Sequence, residues 1–198
     1  MTHPFHRTPS VLVGAAIVFA SLLACKKGSK ESTGSASSGV AATGASDIQR
    51  SSHPGTEDGA KALLEELAKP GADTVAISKS LQPSAEDYAA VFDAETTTKL
   101  RALYDGAWSS GQIVIQGKPG QTEIKLHAAT SEQLKSGAEE AKHCPGGYEK
   151  VAGAMKPGIT IYCFKFVEPG QDLGMAFDGL THVNGHWVII PKPWRALR

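Results

Sequence analysis

The chain has 198 residues, in which 20 Lys and Arg are balanced by 20 Asp and Glu, so its formal net charge is zero. A neutral chain has no excess of cations with which to displace counterions from a phosphate backbone, which argues against nucleic acid as the main partner. Its length allows one domain with a sizeable core, and no internal repeat divides it.

At the start of the chain Arg7, with His3 and His6, makes a short, weakly positive segment. The stretch from Val11 to Ala24 is an apolar run of secretory length. Spanning a bilayer takes about 20 apolar residues, and this run stops short of that at Lys26-Lys27. It closes on Leu22-Leu23-Ala24-Cys25, which resembles the lipobox of bacterial lipoproteins. The resemblance implies removal of residues 1–24, a diacylglyceryl thioether on the Cys25 sulfur and acylation of its new amino group. A buried methylene contributes about 0.8 kcal/mol, and two or more chains hold a protein stably. Membrane lipid is therefore an expected partner through acylated Cys25. In that family the residue after the cysteine influences sorting, and Lys26 is not the aspartate associated with inner-membrane retention. An outer-membrane location facing the periplasm is the expectation.

Residues 25–56 are rich in Ser, Gly, Ala and Thr and almost without large apolar side chains. Such a segment cannot bury enough surface to offset the entropy of ordering, and reads as a disordered tether with His53 solvated in it. A flexible chain of this composition reaches roughly 30 Å. Residues 57–198 then form a single folded domain.

Thr56, Glu57 and Asp58 suit a helix start, and Ala60, Leu63, Leu64 and Leu67 recur at helical spacing before Pro70-Gly71. Asp73 is a cap for a short helix carrying Val75, Ile77 and Leu81, and Ser84 with Asp87 makes a capping-box pattern. Asp93 opens a longer helix with Leu100, Leu103, Tyr104, Ala107 and Trp108 on one face. The period then changes to two. Strands are predicted at Gln112 to Gln116, Thr122 to Ala129, Ile159 to Val167, Leu173 to Val183 and His186 to Ile190, with a helix from Ser131 to Lys142 between the second and third. Asn184-Gly185 suits a two-residue hairpin turn, which sets Val183 opposite His186 and His182 opposite Trp187.

This order predicts an α+β domain, N-terminal helices packed on one face of a mostly antiparallel, curved sheet. The closing hairpin, Phe177-Asp178-Gly179-Leu180 followed by Val183-Asn184-Gly185-His186-Trp187, resembles those of nuclear transport factor 2-like, or cystatin-like, domains. The resemblance implies a sheet wrapped by helices around a conical pocket, used in that family for small ligands, catalysis or dimerisation. The chain departs from the family order in its four helical segments before the first strand and in a helix between strands two and three.

Once Cys25 is lipidated, Cys144 and Cys163 remain, and outside the cytoplasm an even pair is expected as a disulfide. His182 and His186 fall on opposite sheet faces in the predicted register and cannot share a metal ion. His127 and His143 lack metal-ligand spacing and read as a strand and a loop histidine. Asp178, His182 and Trp187 are the candidate ligand-binding wall, with Asp178 and His182 about 13 Å apart on one face. No nucleotide, hydrolase or metalloprotease motif occurs, and neither a metal nor a cofactor is expected. The leading expectation is a non-enzymatic binding module for a small ligand or an envelope protein. The alternatives are a pocket enzyme of the nuclear transport factor 2-like type working by general acid/base catalysis, and a structural or assembly lipoprotein.

Overall fold

The computed structural model describes residues 52–198. The expected signal peptide, the lipidated Cys25 and the tether as far as residue 51 lie outside the described residues. The domain is α+β, with a curved, open sheet of four antiparallel strands in sequence order.

Helices come first because the caps and the apolar spacing agree. Helix α1 (Glu57–Ala68) is capped by Thr56 Oγ1, which accepts from the Gly59 amide, and buries Ala60, Leu63, Leu64 and Leu67. Asp73 caps α2 (Thr74–Ser80), and Asp93 caps α4 (Ala94–Ser109). On α3 (Ala85–Val91) the Ser84–Asp87 capping box is complete: each side chain bonds the other's backbone amide. Leu100, Tyr104 and Trp108 make the buried stripe of α4, whereas Leu103, expected on it, is 45% exposed.

The strands are β1 (Glu123–Thr130), β2 (Thr160–Val167), β3 (Gly174–Val183) and β4 (His186–Ile189). The predicted strand at Gln112 to Gln116 is instead an extended loop, because the Ile115 amide donates to Ser78 Oγ of α2 and not to a neighbouring strand. Helix α5 (Ser131–Ser136) also ends earlier than its pattern suggested. Gly137 takes a left-handed cap at φ 67°, and a 3-10 segment, Glu139–His143, leads to Cys144. A one-turn helix α6 (Tyr148–Val151) precedes β2.

Register sorts the side chains onto two faces. In β3–β4, His182 pairs with Trp187 and Val183 with His186, as the Asn184-Gly185 turn predicts. The face bearing His182, Trp187 and Tyr162 is covered by the start of the domain: the Trp187 indole donates to the His53 carbonyl at 3.1 Å, and Gly55 lies against the His182 ring. His53, read from sequence as solvated, also meets Glu66 at 3.1 Å, so the chain is tied to the sheet from residue 53 onward. The opposite face carries Cys163 and His186, which reach Cys144 and Asp87 of α3. Helix α3 and the segment at Cys144 thus lie on this second face. Among the described residues no helix is long and apolar enough to cross a membrane.

Candidate functional site

Strand β3 contains one residue too many for its partner. Phe177 is opposite Phe164 and Leu180 opposite Tyr162, so three steps on β3 match two on β2. The extra residue is accommodated at Asp178-Gly179, where Gly179 has φ 86° and a Cβ would collide with the Ile190 carbonyl oxygen. Only glycine fits this bulge without strain.

The bulge resets which face Asp178 belongs to. Uninterrupted alternation would have put it on the same face as His182 and Trp187. In the structure it sits on the face of Cys163, where Tyr148 of α6 covers it. His182 and Trp187 do pack together, ring centroids 5.1 Å apart, but with Tyr162 and the 53–55 segment. The expected wall of Asp178, His182 and Trp187 is therefore not one surface. Burial and the nearby His186 hold His182 below the ordinary histidine pKa, and Trp187 is fully enclosed.

Asp178 lies instead in a cleft of about 270 Å³ lined by His127, His143, the disulfide, Pro145, Lys165 and Ala176. The residue is 5% exposed. Both protein donors go to one oxygen: the Lys192 amide at 2.8 Å and the Tyr148 hydroxyl at 3.2 Å reach Oδ1. Among the described residues Oδ2 receives no donor. Burial pushes the Asp178 pKa above the ordinary carboxylate value, against the lowering effect of the Lys192 amide, the Tyr148 hydroxyl and the charges of Lys192 and Arg195. The Tyr148 hydroxyl is itself pushed well up by burial and by Asp178. A buried carboxyl with altered proton affinity and an open oxygen in a cleft is the usual physical signature of a working group.

The cleft's rim is set by the disulfide. Cys144 and Cys163 are bonded, with their Cα atoms 5.4 Å apart, and the bond draws the segment before α6 onto β2. Because His127 is the register partner of Cys163 and His143 precedes Cys144, the bond also brings the two histidines together. Their rings stack at 4.0 Å with 5° between planes. Burial, then His143, then Lys165 lower the pKa of His127. Nothing in the spacing of the two histidines along the chain brings them together; the disulfide and the β1–β2 register do. A second hollow of about 260 Å³ adjoins them, bounded by Glu139 and Glu140. No three His, Cys, Asp or Glu among the described residues are grouped to hold a metal ion.

A second polar cluster has the opposite character. Asp87 accepts from Asn184 Nδ2 at 2.8 Å on Oδ1, and on Oδ2 it meets the Ser84 amide at 2.8 Å and His186 Nε2 at 3.0 Å. Both His186 ring nitrogens face oxygens, the other being the Asn184 carbonyl at 3.1 Å. The capping acid of α3 thus fastens the β3–β4 turn, and neither oxygen is left open for chemistry. Comparison of the chain with protein-family models, curated proteins and solved structures finds no match to any of them.

Proposed function

We propose that the protein is a cell-envelope lipoprotein, anchored through acylated Cys25, whose folded domain is a binding module for a small ligand seated in the Asp178 cleft. The observation that carries the binding half is that Asp178, a buried residue lining the cleft, has both of its protein donors on Oδ1 and, among the described residues, none on Oδ2. An oxygen without a protein donor on a residue that lines a cleft keeps acceptor capacity that a ligand can fill. The anchoring half rests on the lipobox-like Leu22-Leu23-Ala24-Cys25. The test is a thermal-shift screen of small polar compounds against wild type and Asp178→Asn. The proposal expects compounds that raise the wild-type melting temperature and leave the variant unmoved. A screen in which every hit stabilises both equally removes the cleft as the site.

A general-base enzyme is the second reading, favoured by the same raised proton affinity of Asp178 and by the Tyr148 hydroxyl beside it. Turnover of a bound compound by wild type, abolished in Asp178→Asn, would select this reading over simple binding.

A further inference from the structure

Asp178 is not the only open charge in the cleft. Lys165 lines it as well, and its ammonium makes no ion pair with any described residue. This is not for lack of acids nearby. Lys125, the register partner of Lys165 on β1, is held by Glu123 at 2.9 Å and Asp172 at 3.6 Å. Of two adjacent lysines, one is engaged and the other left free on the cleft side.

The sheet sets the spacing between the two open charges. Lys165 pairs with Ala176 across β2–β3, which makes Asp178 its diagonal neighbour on the same face. Diagonal neighbours of this kind lie about 7 to 8 Å apart, close enough for both side chains to reach one small molecule. Burial and neighbouring cations lower the pKa of His127. Lys165 is the cleft's lysine, and Asp178 its buried acid. The rest of the lining is apolar: Ala176 and Pro145 beside the disulfide, the Phe164 and Phe177 rings lying on the other face of the sheet.

A ligand that satisfies both ends carries a cationic donor and an anion a few bond lengths apart, with a modest apolar body. The volume of about 270 Å³ is at the small end for ligand sites, which excludes larger metabolites. Accepting the binding reading above, we propose that the cleft takes a free α-amino acid with an apolar side chain, its ammonium on Asp178 Oδ2 and its carboxylate on Lys165. Neither charge is then left unpaired, and charge-assisted hydrogen bonds to both heads supply the specificity.

The experiment is calorimetric titration of the full chain in detergent with phenylalanine, with 3-phenylpropionate, which lacks the ammonium, and with 2-phenylethylamine, which lacks the carboxylate. Leucine serves as a second side chain. Wild type should prefer an amino acid to either half-molecule by about tenfold or more, the scale of one charge-assisted hydrogen bond. Asp178→Asn should erase the advantage over phenylpropionate, and Lys165→Gln the advantage over phenylethylamine. If phenylethylamine binds as well as phenylalanine and Lys165→Gln changes nothing, the amino-acid inference falls while a cation-binding cleft stands. If none of the four binds wild type, the inference falls as well, and the compound screen alone then decides whether the cleft binds anything.

Discussion

Two buried carboxyl groups in this domain have been given opposite environments. Asp87 is 1% exposed and has partners on both oxygens: a helix amide, an asparagine amide and an imidazole. Asp178 is nearly as buried and lines a cleft, yet both of its donors converge on Oδ1 and, among the described residues, Oδ2 receives none. A filled carboxyl group fastens elements together, here α3 to the β3–β4 turn. A half-filled one retains acceptor capacity for something that is not part of the chain. Burial alone does not separate the two roles; the distribution of donors over the two oxygens does.

The comparison is broken most forcefully from the Asp87 side. Asp87→Ala removes the α3 cap and the buried bonds to His186 and Asn184, a loss of about 3 to 4 kcal/mol in unfolding free energy. The midpoint of urea unfolding at constant slope measures it. Replacing both Cys144 and Cys163 by Ala should cost about 3 kcal/mol by the chain-entropy model. The same change should separate His143 from His127, since the bond is what draws their segments together. Loss of nuclear Overhauser contacts between the two imidazoles would report that directly.

A smaller effect is expected from pH. Burial and neighbouring charge hold the pKa values of His127 and His182 below 6.5 in the folded domain. As pH falls through 6.5 the unfolded chain takes up these protons first, so stability is full above that pH and declines below it toward the folded-state values. His127→Gln should flatten part of that slope in melting curves recorded between neutral and mildly acidic pH. Asp178 has the opposite sign: its raised pKa means that stability is lost as pH rises above 3.8 through the folded-state value.

Much of this architecture was legible because local chemistry specified it. Thr56, Asp73, Ser84 with Asp87, and Asp93 cap the helices their positions announced, and Asn184-Gly185 set the β3–β4 pairing. The Cys144–Cys163 bond joins the two thiols left besides Cys25 of the lipobox-like stretch, the pairing that the cysteine count suggests. What alternation could not reveal was the bulge, since Asp178-Gly179 reads like any interior pair of a strand until the Ile190 backbone is known to lie against Gly179. That one residue moved Asp178 away from His182 and Trp187. The tertiary partners of Asp87 were equally hidden: a capping box explains the residue completely, and only the fold brings His186 to it. Ile113 and Ile115 looked like strand residues because they are apolar at period two. They pack against the core from a loop whose Ile115 amide is taken by Ser78.

The smallest expected change in stability is also the most informative. Asn at position 178 keeps an acceptor for the Lys192 amide and the Tyr148 hydroxyl while removing a charge that burial disfavours. Thermal melting of Asp178→Asn beside Asp87→Asn at neutral pH therefore tests the central distinction between the two carboxyl groups. The account predicts that Asp178→Asn melts at or above the wild-type temperature while Asp87→Asn melts clearly below it. An Asp178→Asn variant that loses as much stability as Asp87→Asn would contradict it, and would make Asp178 a fastening group of the same kind.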